Sequence, residues 1–101
     1  MEKLDLKEKL LNDYKSEETR VKGIARGTIS SFLGIDTEDV SVHGASPNDK
    51  GIRIYLEAGG FNFIYNHPNK KIEFSLDGNL YDVETRSDIG RIISFKENKN
   101  R

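Results

Sequence analysis

The chain has no cysteine, no tryptophan, one methionine and two prolines among its 101 residues. Without cysteine there is no disulfide, no thiolate metal site and no thiol nucleophile, which fits a cytoplasmic protein. Apolar runs are short, doublets such as Leu10-Leu11 and Ile92-Ile93 being typical, and nothing approaches the ~20 apolar residues that cross a bilayer as a helix. The first ten residues are charged and periodic, without the apolar centre of a signal peptide. Neither sign of charge dominates, with 16 Lys and Arg against 17 Asp and Glu, a formal net charge of −1. That balance excludes a strongly basic nucleic-acid coat and an acidic disordered tail protein.

What is present is 35% hydrophobic and 33% charged, enough for one small core under a highly charged surface. A single α+β domain over residues 1–95 is expected, followed by a flexible polar tail over 96–101.

Residues 1–34 carry helical periodicity. Asp5 followed by Glu8 resembles a capping box. Leu6, Leu10 and Tyr14 recur every four residues, and Leu11 widens the stripe. A polar stretch, Lys15 to Arg20, comes next, and Ser16 can cap a new helix with Glu17 and Glu18 in its first turn. Val21, Ile24, Ala25, Ile29, Phe32 and Leu33 form a second stripe that ends at Gly34, a natural helix stop. One long helix over 6–33 is allowed, and two with a break near Ser16 are favoured. Gly23 and Gly27 inside the second stripe suggest close packing of helix on sheet.

After Asp39 the period changes from 3.6 to 2. Val40 and Val42 alternate, as do Ile52, Ile54 and Leu56; Phe61, Phe63 and Tyr65; Ile72, Phe74 and Leu76; and Tyr81 with Val83. Turns at Gly59-Gly60, His67 to Lys70 and Asp77-Gly78 each set a register. They pair Leu56 with Phe63, Phe63 with Phe74, and Phe74 with Tyr81. All three put the apolar alternates on one sheet face, an agreement stronger than any single propensity. The pattern predicts a meander of four strands, with a fifth near 39–43 joined by a longer loop over 44–51. The helical stripe covers the apolar face. At the C-terminus Ser87 can cap a short helix bearing Ile89, Ile92 and Ile93, although Arg91 to Phe95 also fits a strand.

Groups for catalysis are sparse. His43 and His67 have no acidic or histidine neighbour at the helical spacing of a metal pair. No nucleophile elbow, phosphate-binding glycine loop or calcium loop occurs, although Asp36, Glu38, Asp39 and Asp49 supply carboxylates. His43 with Asp49 is the one acid–base pair worth testing. No catalytic residue, cofactor or metal is expected.

Residues 29–41 resemble the core of a helix-turn-helix through the Leu33-Gly34-Ile35 turn and the later Val40-Ser41. The implied recognition helix would carry Asp36, Glu38 and Asp39, which repel phosphate. Arg20, Lys22 and Arg26 would supply its cationic contacts. The order helix, strands, helix also resembles a double-stranded-RNA-binding domain, but Ser87 to Arg91 has one basic residue where that family has a lysine-rich start.

The opposite sheet face, which also carries Leu80, is mostly polar, and on it Tyr55 and Ile64 sit across from each other. Lys71 faces Glu84, and Glu73 faces Asp82, a like-charge pair that a partner's cation would relieve. A stand-alone protein–protein interaction module is therefore expected: an inhibitor, adaptor or accessory factor of the kind phages and mobile elements carry. Tyr55, Ile64, Arg53 and Glu73 are its predicted partner-binding residues. A homodimer through a sheet edge is a further route to association, and a nucleic-acid-binding regulator built on 29–41 is the alternative.

Overall fold

Polar residues 15–20 do not interrupt the first helix. The computed structural model describes residues 3–99, and α1 runs unbroken from Lys3 to Leu33. The expected break at Ser16 is overturned because the stretch holds neither Gly nor Pro, and Lys, Glu and Arg are good helix formers. Ion pairs Glu17–Arg20 at 3.8 Å and Glu18–Lys22 at 3.0 Å bridge successive turns there. Asp5 lies within the first turn rather than ahead of it. Gly34, at φ 71°, closes the other end. The Ile35 amide donates to the Ser30 carbonyl at 3.0 Å and the Gly34 amide to that of Ser31 at 3.3 Å, the pair of bonds of a left-handed helix stop.

β1 (Val40–Asn48), β2 (Gly51–Ala58), β3 (Phe61–His67), β4 (Lys71–Leu76) and β5 (Asn79–Val83) form one antiparallel sheet in sequential order. The predicted registers hold: Leu56 pairs with Phe63, Phe63 with Phe74, and Phe74 with Tyr81. The loop expected over 44–51 is instead strand, apart from a two-residue turn at Asp49-Lys50. The ladder continues from Val40↔Ala58 to Asn48↔Gly51, with a bulge at His43. That extra residue shifts the alternation by one, so Ala45 rather than Gly44 faces the core after Val42, and the period-2 signal is lost from the sequence. Asn48 Oδ1 accepts the Lys50 amide at 2.8 Å and tightens the two-residue turn. Pro47 is tolerated because β1 is an edge strand.

The second helix, α2 (Arg86–Lys99), extends through four residues of the predicted tail; residues 100 and 101 lie outside the described residues. Its cap is Thr85, not Ser87. Asp88 Oδ2 accepts the Thr85 and Glu84 amides at 2.9 and 2.8 Å, while Thr85 Oγ1 accepts the Asp88 amide at 3.3 Å, a reciprocal capping box. Those backbone donors, with Arg91 beside them, hold the Asp88 carboxyl below its ordinary pKa. A depressed carboxylate stabilises the fold above its unfolded pKa of about 3.9, and this support is lost as pH falls through the folded value. The stability gap between wild type and Asp88→Ala should therefore be widest near neutrality and narrow below about pH 4. Urea titrations at a series of pH values would measure it; a gap independent of pH would contradict the capping role.

Val21, Ala25 and Ile29 of α1 are fully buried on the apolar sheet face, against residues such as Ile54, Leu56, Phe63, Tyr65 and Phe74. Ile89 carries α2 into the same core. Ile24, read into the same stripe, is 36% exposed. Gly23 and Gly27 do not mark a close approach, since a Cβ at either would meet nothing within 4 Å.

Candidate functional site

The sheet face that no helix covers brings the four predicted partner residues together. Tyr55, Ile64 and Glu73 stand in one row across β2, β3 and β4, and Arg53 lies two residues from Tyr55 on β2. Their chemistry is turned inward. Glu73 Oε1 accepts from Asn66 Nδ2 at 3.0 Å and lies 3.5 Å from Arg53 Nη2. The Arg53 guanidinium sits 6.0 Å from the Tyr55 ring centroid, and Tyr55 Oη shares a 3.0 Å hydrogen bond with Ser46 Oγ. Ile64 is only 6% exposed although it is on the uncovered side. It is buried and not an exposed anchor. Tyr55 is the most accessible of the four, at 37%.

The like-charge row Glu73↔Asp82 is real, but the chain relieves it itself. Arg53 answers Glu73, and Lys71 Nζ lies 3.1 Å from Asp82 Oδ2. Lys71 therefore pairs diagonally with Asp82 rather than with Glu84, which falls beyond the end of β5.

The other predicted chemistry does not assemble. His43 and Asp49 are separated by most of β1, ~20 Å of extended chain. No cluster of three or more His, Asp or Glu that could hold a metal occurs among the described residues. Segment 29–41 is not a helix-turn-helix. After Gly34 comes a single 3₁₀ turn, Thr37–Asp39, and then β1. Arg26 Nε donates to the Thr37 and Val40 carbonyls at 2.8 and 3.1 Å, fixing this link to α1. Arg20 and Lys22 are held in the intrahelical ion pairs. No helix among the described residues is long and apolar enough to cross a membrane.

Two surfaces that sequence reasoning passed over are more open. The first lies between β5 and α2, a groove of about 740 Å³ with Leu80, Tyr81, Ile92 and Phe95 among its lining residues. Leu80 is 49% exposed and Phe95 68%. Asp82, Glu84 and Asp88 give its rim an acidic bias against Arg91. β5 ends the sheet, so its outer backbone edge has no strand partner among the described residues. Sequence signals existed here: Leu80 interrupts the polar alternation, and Phe95 is out of phase with the isoleucines of α2.

The second surface is the amino-terminal part of α1. Every residue from Asp5 to Asp13 is exposed. A helix of 31 residues is ~46 Å long at 1.5 Å per residue, whereas five strands span only ~20 Å at 4.8 Å spacing. The molecule is accordingly 64 Å in its longest dimension and 20–25 Å in the others. Where α1 leaves the sheet, Tyr14 and His67 line a pocket with Asn48, Gly51 and Pro68. Among the described residues, neither Tyr14 Oη nor His67 Nδ1, both buried there, has a partner in full hydrogen-bond geometry. Burial, together with the nearby Glu18 and Glu17 carboxylates, raises the Tyr14 pKa.

In comparisons with known proteins, the chain matches no family model, no curated protein and no solved structure.

Proposed function

We propose that this protein is a non-catalytic interaction module that takes an extended segment of a partner protein along β5, in the groove beside α2. The observation that carries this reading is an unpaired strand edge facing an apolar groove. Such an edge offers a row of unpaired N–H and C=O groups to an incoming strand, while pockets beside it select alternate side chains. Leu80 and Phe95 supply apolar contact. Asp82 and Glu84 favour a lysine or arginine on the partner, because Asp88 is already committed to the helix cap and to Arg91 at 3.1 Å. The opposite edge is less suited to strand addition, being broken by the His43 bulge and by Pro47.

An inhibitor or adaptor works in this way, by occupying a partner rather than transforming it. A cysteine-free chain needs no oxidising compartment to fold, and the cytoplasm is the setting we assign with this reading.

Replacing both Leu80 and Phe95 with Asp tests it. Both side chains are exposed, so the circular dichroism spectrum and melting temperature should stay close to wild type. Capture of the partner from a nuclease-treated lysate should be lost. Capture that survives the double substitution with the fold intact would move the site away from β5.

A further inference from the structure

The backbone of β5 fixes which of its polar groups a partner can reach. The Asp77-Gly78 turn has positive φ at both residues, 51° and 82°, and closes on the pair Leu76↔Asn79. That is the two-residue hairpin turn whose flanking pair exchanges hydrogen bonds. Bonded and non-bonded pairs alternate along an antiparallel ladder. Phe74↔Tyr81 and Ile72↔Val83 are therefore bonded pairs, whereas Ser75↔Leu80 and Glu73↔Asp82 are not. The N–H and C=O groups of Leu80 and Asp82 consequently point away from β4, to the open edge. The next outward N–H, that of Glu84, is closed off, since it donates to Asp88 Oδ2 at 2.8 Å. At the other end, Lys96 Nζ of α2 lies 3.7 Å from Asp77 Oδ2 in the turn. Between these two closures the edge offers two complete donor–acceptor pairs.

We infer that the partner segment runs antiparallel to β5 and reads, from its amino end, basic–apolar–apolar, these three residues standing opposite Asp82, Tyr81 and Leu80. This rests on the reading of β5 as the partner-binding edge and gives the partner its chemistry. Antiparallel pairing is the more stable kind per residue, and it continues the order of the meander. In that direction the residues opposite Asp82 and Leu80 each exchange two backbone hydrogen bonds with β5, and the residue between them turns its N–H away.

The residue types follow from what each position faces, because residues directly opposite share a sheet face. The residue opposite Asp82 stands between two carboxylates. Asp82 already has Lys71 Nζ at 3.1 Å, but Glu84 has no ion pair among the described residues. A lysine or arginine at this position answers both. The residue opposite Tyr81 lies on the side of the sheet that α2 covers, where Tyr81, Ile92 and Phe95 line the groove, and takes a large apolar side chain. The residue opposite Leu80, which is 49% exposed, completes an apolar cross-strand pair, and a β-branched side chain suits it. A second copy of β5 does not supply this pattern, since Asn79 to Val83 holds an acid and no base.

The test uses the whole chain and a capped synthetic peptide, acetyl-Thr-Val-Arg-Ile-Val-Thr-amide, with the reversed sequence as control. Amide hydrogen exchange of the free protein should be fast at Leu80 and Asp82 and slow at Tyr81. Titration with the peptide, followed by amide NMR, should shift and protect the Leu80 and Asp82 amides, and the reversed peptide should bind more weakly. N-methylation of the peptide's arginine or second valine, whose N–H groups face β5, should weaken binding about tenfold, whereas N-methylation of its isoleucine should not. Four results would each overturn the inference: Leu80 and Asp82 amides already protected in the free protein, protection that grows with protein concentration and so assigns the edge to a second copy, tighter binding of the reversed peptide, or no binding of either peptide. The wider reading is decided separately by the Leu80→Asp, Phe95→Asp double variant. Partner capture lost there, with neither peptide bound, would keep β5 as the site and give it a ligand of different pattern.

Discussion

Gly51→Ala should be the most damaging single-methyl addition in the chain, lowering the unfolding free energy by about 3 kcal/mol or more, as backbone strain and overpacking together imply. Gly51 opens β2 at φ 153°, in a region that glycine alone adopts readily. The space is also taken. A Cβ there would lie inside contact distance of the His67 carbonyl oxygen and 2.8 Å from Pro68 Cδ. Neither obstacle is the flexible end of a side chain, so relief requires moving the turn after β3 or the start of β2. That movement would disturb Asn48↔Gly51 and Ile52↔His67, the last pairs of two ladders. Gly59→Ala provides the contrast. It also sits at positive φ, 60°, but nothing lies within 4 Å of its Cβ, so only the conformational penalty of about 1 kcal/mol applies. Equilibrium urea unfolding of the two variants separates strain from steric conflict. Equal losses would show that the approach of His67 to Gly51 does not constrain the fold.

The contrast between these glycines shows where the sequence is informative. Turns at Gly59-Gly60 and Asp77-Gly78 are legible because each announces itself in two residues and fixes every pair in its hairpin. The first hairpin is not, since its Asn48 to Gly51 turn follows a bulge that scrambles the alternation, and its strand contains Pro47. The continuity of α1 is a matter of competing local preferences at Ser16, a good N-cap residue that is equally tolerated inside a helix when its neighbours form ion pairs. Misreading that one position hides the overhang, because two short helices would both fit on the sheet. For the candidate site, the sequence brings Arg53, Tyr55, Ile64 and Glu73 onto one face by register alone. Register does not report how long side chains fold over a short one. The groove beside β5 depends on the placement of α2, which no pairing rule sets.

Ile64 is the residue at which alternation and burial part most clearly, and Ile64→Glu should behave as a core substitution. Period-2 reasoning assigns position 64 to the solvent side, where a charge costs little. In the structure its side chain is covered by neighbours from the flanking strands, and exposure falls to 6%. A glutamate there must either bury its carboxylate or push those neighbours aside. It would also stand in register with Glu73, whose carboxylate is already bonded to Asn66 and faces Arg53. Arg53 Nε is buried without an acceptor, yet the guanidinium cannot fully neutralise two carboxylates. A loss of about 3 kcal/mol or more is expected at neutral pH, as for other buried unpaired charges. Ile64→Val, which keeps the shape, should lose only about 0.5–1.5 kcal/mol. The sign of the pH dependence distinguishes charge from shape. Burial raises the folded pKa of the introduced carboxyl above the ordinary value of about 4.3. Its penalty relative to wild type is therefore present at neutrality and shrinks as pH falls toward 4, where the group is increasingly protonated in both states. Denaturation midpoints of wild type, Ile64→Val and Ile64→Glu at pH 7 and pH 4 would show it. A glutamate variant as stable as the valine one at pH 7 would mean that position 64 is open to solvent, and would restore it as a surface on which a partner can dock.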